Sequence, residues 1–98
     1  MLRHIVFFSV KDPQERQTVF DGLSILKTIP HGRNLEVGEV KLTDPIPGHK
    51  VDFVVYGEFE DADELAAYKA HPVYQQSIEI VRPLRELRIA ADYFAPGM

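Results

Sequence analysis

The sequence predicts an α+β domain in which a four-stranded antiparallel sheet carries its helices on one face, joined in the order strand, helix, strand, strand, helix, strand. Three observations predict it. Two runs rich in β-branched and aromatic residues, 3–11 and 51–59, alternate with the two-residue period of strands. Each is followed by a helix-start signal, Asp12-Pro13 after the first and Asp61 with Glu64 after the second. Between the two units lies a weaker strand and a proline-rich connection, and the chain closes on a last strand-like run.

Residues 3–11, RHIVFFSVK, place His4, Val6, Phe8 and Val10 on one face and Ile5 and Phe7 on the other. A strand apolar on both faces is central, so both sides of the sheet need cover. Asp12 then reads as an N-cap, with Pro13 at the first helical position and Glu15 in capping-box spacing. Val19, Phe20, Leu23, Leu26 and Ile29 form the apolar stripe of that helix, and Gly22 interrupts it at modest cost. Pro30 to Arg33 ends it, with Gly32 suited to the turn.

Residues 35–42, LEVGEVKL, form a weaker strand whose phase slips toward Val40, which a bulge near Gly38 explains. Residues 43–50, TDPIPGHK, are too proline-rich for a ladder and read as a mobile hairpin connection. In 51–59, VDFVVYGEF, Val51, Phe53, Val55 and Phe59 share one face, and Gly57 on that face leaves room for a ligand or another chain. The second helix carries Ala62, Leu65 and Tyr68 inward. Pro72 stops or kinks it at His71. A short amphipathic piece within 73–83 presents Ile78 and Val81, the final strand runs from Leu84 to Asp92, and a tail, YFAPGM, exposes two aromatics suited to docking.

This is a ferredoxin-like βαββαβ order, one domain spanning 1–98. A domain of 98 residues has helices for one side of the sheet only. The other face is too apolar for water. A second copy packed sheet to sheet is the expected partner, through the face carrying Val6, Phe8 and Phe53, and it would bury roughly 1,000 Å² or more.

Composition narrows the function further. Apolar residues make up 45% and charged residues 27%, an ordinary soluble balance. Eleven Lys+Arg against 15 Asp+Glu leave a net charge of −4, and no block of basic residues appears, so nucleic acid is not expected as a partner. The absence of cysteine excludes disulfides, a thiol nucleophile and iron–sulfur ligation. The apolar run Ile5 to Phe8 is too short for a signal peptide or membrane span, which makes the cytoplasm the expected address and membrane association unexpected. No dinucleotide fingerprint, phosphate loop, HExxH pair or GxSxG elbow occurs, the four histidines are dispersed, and the serines have no base beside them. Neither a metal nor a cofactor is expected.

The chemistry-bearing cluster is LAAYKAHPVY, 65–74, where a buried helical face reaches Tyr68, His71 and Tyr74 within two turns. It reads either as a core aromatic followed by a turn or as the rim of a ligand pocket.

The segments RHIVFFSVKD (3–12), FEDADELAAYKAHPVY (59–74) and the closing strand ending at Asp92-Tyr93 resemble the stress-responsive dimeric α/β-barrel family, Dabb. The resemblance implies a homodimer whose sheets close into a barrel, with a hydrophobic pocket between sheet and helices in each subunit. The family includes a plant polyketide cyclase that closes a linear tetraketide acid by cofactor-free aldol condensation. By matching segments, His4 stands at the buried strand histidine and Tyr68 at the pocket tyrosine. Tyr74 stands where that cyclase has its general-base histidine, and Phe53 where it has another pocket histidine. A phenol of reference pKa about 10 is a poorer base at neutral pH than an imidazole near 6.5. The candidate ligand-binding residues are therefore His4, Phe53, Tyr68, His71 and Tyr74, with no catalytic residue assigned. The expected function is a dimer binding a small, largely apolar aromatic or polyketide-like molecule; the alternatives are a cyclase-like enzyme using His4 or His71, or a purely structural dimer.

Overall fold

The computed structural model describes residues 1–41 and 50–96. Strand β1 (Leu2–Val10) leads through a 3₁₀ turn at Pro13–Glu15 into helix α1 (Arg16–Ser24), which tightens into a second 3₁₀ turn at Ile25–Thr28. Strands β2 (Arg33–Glu39) and β3 (Phe53–Phe59) follow, then helices α2 (Ala62–Ala70) and α3 (Pro72–Val81), and strand β4 (Arg85–Phe94). The sheet order is β2-β3-β1-β4 with every neighbouring pair antiparallel, the ferredoxin-like arrangement. Residues 42–49, which take in the end of the expected 35–42 strand and all of the proline-rich connection but Lys50, lie outside the described residues.

Local chemistry sets the element ends. The Asp12 carboxylate accepts from the Gln14 N–H, so the proline-led start is a 3₁₀ turn before the α-helix begins at Arg16. Asp61 caps α2 by accepting from the Glu64 N–H at 2.9 Å. Gly32 in the turn before β2 has φ 84 and Asn34, the second residue of the strand, has φ 53, both left-handed. The register irregularity of β2 falls between Arg33 and Glu36, at that left-handed Asn34, and not at Gly38 as the sequence pattern suggested.

The core is one cluster between sheet and helices. Val6, Phe8, Phe53, Val55 and Phe59 meet Val19, Leu23 and Leu26 of the first helical segment, Leu65 and Tyr68 of α2 and Val81 of α3. Burying each such side chain stabilises the fold by about 1.5–3 kcal/mol relative to exposure. This placement corrects the expected interface: the face bearing Val6, Phe8 and Phe53 is the one the helices cover. The uncovered face carries the odd positions of β1. Ile5 pairs with Tyr56 and Ala91, and Phe7 with Val54 and Ile89, giving an apolar stripe across three strands, with Ile89 54% and Tyr93 47% exposed. Alternation predicted both faces apolar, and only the docking of the helices decided which was internal.

Gly57 also differs from expectation. A Cβ there would lie 2.5 Å from Leu35 Cδ2 and 3.1 Å from Phe59 Cε2, so the core itself occupies the space its missing side chain leaves. Gly22 likewise marks a close approach: a Cβ would meet Ile80 Cγ2 at 2.6 Å, and Ser77 Oγ donates to the Gly22 carbonyl at 2.8 Å. Helices α1 and α3 cross at that point.

Candidate functional site

The break between α2 and α3 builds the site. Pro72 disfavours helical backbone at His71, which is extended at φ −67 and ψ 141. His71 then caps α3, its Nδ1 accepting from the Val73 N–H at 3.1 Å, while Pro72 occupies the first turn. The redirected helix brings Tyr74 edge-on to Tyr68, with ring centroids 5.3 Å apart.

Behind these rings a narrow cavity of about 30 Å³ runs between the sheet and helices α1 and α3. That is room for roughly two waters, a water needing on the order of 10–15 Å³ on this measure. Its inner wall is aliphatic and aromatic, with Val6, Phe8 and Val55 from the sheet and Leu23, Leu26, Ile78 and Val81 from the helical layer. His4, Tyr68, Tyr74 and Ser77 supply neutral polar groups, and Arg82, Arg85 and Arg88 complete the lining. Ser77 is already engaged with Gly22.

His4 lies on β1, an inner strand between β3 and β4, rather than at a sheet edge. Its partner across β1–β4 is Asp92, and the imidazole Nδ1 contacts the Asp92 carboxylate directly. Burial pushes the His4 pKa below its ordinary value; Asp92 opposes this, and the charges of Lys69 and Arg88 reinforce it. With Nδ1–H directed to a carboxylate, the Nε2 lone pair of the neutral ring is left as an acceptor. Tyr68, 1% exposed, is packed between the rings of Phe59 and Tyr74. Burial, then the neighbouring Tyr74, pushes its phenol above the ordinary value despite Arg88, so the hydroxyl keeps its proton. It makes no hydrogen bond among the described residues. The site thus presents a neutral acceptor and a neutral donor, with ring centroids 6.3 Å apart, at the end of an apolar wall.

Of the five residues singled out in the sequence, His4, Tyr68 and Tyr74 line this cavity and two do not. Phe53 is wholly buried near the opposite end of β3, where its ring packs on Phe20 at 5.6 Å and beneath the Arg16 guanidinium at 4.6 Å. His71 is turned to its capping role, its ring 6.4 Å from His31. Neither position was distinguishable by spacing, because one-residue steps in a helix or four-residue steps along a strand carry a side chain out of a small site. Residues that the sequence reading passed over are Asp92 and the three arginines. The latter had a visible signal, three-residue spacing in RPLRELR (82–88).

Among the described residues no group of three or more His, Asp or Glu side chains could hold a metal ion, and no helix is long and apolar enough to cross a membrane.

A family model described as the Stress responsive A/B Barrel Domain, Dabb, matches residues 2–95. No curated protein matches the sequence. Among solved structures, a dimeric ferredoxin-like protein of unknown function from Thermobifida fusca is 27% identical over 94% of this chain and 88% of its own, with a TM-score of 0.73. A dimeric ferredoxin-like protein of unknown function from Bacteroides fragilis is 26% identical over 94% of this chain and 93% of its own, with a TM-score of 0.74. A Dabb-family protein from Mesorhizobium loti, 24% identical over 98% of this chain and 97% of its own, superposes with a TM-score of 0.79.

Proposed function

This chain belongs to the stress-responsive A/B barrel family, and from that membership we propose that it is a homodimer that binds a small, largely apolar organic molecule between its sheet and its helices. The observation that carries the proposal is the cavity: an apolar wall ending in His4 and Tyr68, two neutral polar groups whose Nε2 and hydroxyl have no protein partner among the described residues. Such a wall orients a ligand through one or two hydrogen bonds while its hydrophobic body supplies most of the affinity. Occupancy requires widening, and the half-buried Tyr74 and Ile78 on α3 form the side that can yield.

The dimer is supported by the uncovered apolar stripe of Ile5, Phe7, Val54, Tyr56 and Ile89 and by the dimeric relatives from T. fusca and B. fragilis. Closing two such sheets on each other would form the barrel.

Titration with hydroxylated aromatic and ketone probes, followed through the amide spectra of the cavity residues, tests the binding function. Shifts confined to β1, α2 and α3, weakened in Tyr68→Phe, are expected. A cavity that takes up none of them, in a protein that is nevertheless dimeric, would leave only the structural reading.

A second reading, a cofactor-independent cyclase-like enzyme, is favoured by the His4–Asp92 pair. Nε2 of the neutral imidazole would take the proton from a carbon next to a carbonyl, the carbonyl π electrons would move onto oxygen as the enolate forms, and the Tyr68 hydroxyl would donate to that oxygen. Incubation with β-keto acids and phenolic ketones in deuterated buffer separates the readings. Protein-dependent deuteration or ring closure lost in His4→Asn supports turnover, whereas binding without exchange supports a binding protein.

A further inference from the structure

Arg82, Arg85 and Arg88 converge on the cavity from the end of α3 and the start of β4. Among the described residues none of them makes a salt bridge or a hydrogen bond to a carboxylate. This is unexpected in a chain whose acidic residues outnumber its basic ones by 15 to 11. The nearest acid in sequence, Glu86, does not line this cavity; it lines a separate surface hollow together with Lys11 and Arg16. Asp92 is taken by His4. Arg88 and Arg82 are close enough to disfavour the charge of Arg85: burial, and then Arg88 and Arg82, lower its pKa. Like charges gathered at an apolar cavity, with no carboxylate paired to them among the described residues, are an arrangement that an anionic ligand completes.

We propose that the bound molecule is an amphipathic acid whose carboxylate is held by Arg85 and Arg88, with Arg82 adding to the field, while its apolar body follows Val6, Phe8 and Val55 toward Tyr68 and His4. This rests on the ligand-binding reading above and narrows it to a class of ligand. The guanidinium fork matches the two carboxylate oxygens, which an ammonium would not. Phe8 pairs with Arg88 and His4 with Asp92, so the cationic and neutral ends stand four residues apart on β4, roughly 13 Å at about 3.3 Å per residue. An acid with a chain or ring system of that reach touches both ends.

The test is a matched series on the full-length protein by calorimetry: octanoate and 4-phenylbutyrate, their uncharged amides, and octyl phosphate. Each acid should bind at least ten times more tightly than its amide, and the preference should shrink several-fold between 20 and 500 mM NaCl as the charges are screened. In Arg85→Gln/Arg88→Gln the acid–amide ratio should fall below about three while the amides still bind, which also reports that the cavity is intact; the exposed Arg88→Gln alone should show part of the loss. Acids and amides binding equally well to the native protein would overturn the inference and leave the ligand-binding function standing. Octyl phosphate favoured tenfold over octanoate would overturn the carboxylate assignment. Failure of every probe, amides included, would overturn the ligand-binding function and this inference with it.

Discussion

The imidazole of His4 and the carboxylate of Asp92, 88 residues apart in sequence, meet across the β1–β4 ladder, with His4 at 2% exposure. The pair joins the start of the chain to its last strand and holds the one buried imidazole of the cavity in a single orientation.

That pair sets a pH dependence. The folded pKa of His4 is lowered, so the unfolded chain, with a histidine of ordinary pKa about 6.5, binds the proton first as the pH falls. The stability contributed by the neutral ring is therefore complete above about pH 6.5 and is lost as the pH drops from there through the lower folded value. Thermal unfolding should show a falling midpoint between pH 7.5 and 5.5 that flattens in His4→Gln. Asp92→Asn, which removes the opposing charge, should lower the His4 pKa further in an NMR titration. An unchanged or higher value would show that the carboxylate does not act on the ring.

Asp52 anchors the other end of the sheet. Its side chain is 5% exposed, accepts from the Val10 N–H at 2.9 Å and takes the Arg16 guanidinium at 2.6 Å. Asp52→Ala strands a buried N–H and a half-buried cation, a loss of about 2–4 kcal/mol in urea unfolding. Asp52→Asn, which keeps an acceptor, should lose less.

Gly22→Ala would stabilise an isolated helix by about 1 kcal/mol. Here the added methyl would fall 2.6 Å from Ile80 Cγ2 and 3.1 Å from Val81 Cγ2, forcing α1 and α3 apart. A net loss of about 1–3 kcal/mol is expected. A gain in unfolding midpoint would mean that the helix crossing relaxes freely.

Light scattering on two glutamate variants tests the dimer face. Ile89→Glu, on the uncovered stripe and 54% exposed, should yield a folded monomer or a dimer weakened by more than tenfold. Val6→Glu, on the covered face and 3% exposed, should unfold the chain at any concentration. A dimer indifferent to Ile89→Glu would place the contact elsewhere.

The sequence by itself determined the elements and their order, because caps, prolines and two-residue alternation are local signals. Asp61 caps α2, Pro72 ends it at His71, and the runs around Ile5 and Phe53 are strands whatever packs on them. It also marked Tyr68 and Tyr74 as neighbours, since they flank a single helix break. Which face of β1 was internal was beyond it: Val6 and Phe7 are equally apolar, and the choice lies in where α1 and α3 dock. The same limit hid the His4–Asp92 pair, which exists only once β4 is placed beside β1, and left Phe53 and His71 grouped with a site they do not reach. The linear chain shows Arg82, Arg85 and Arg88 at three-residue spacing and nothing of what they face. Only the turn from α3 into β4 aims them at one cavity, because side-chain convergence is a property of how elements cross and is not written in their spacing.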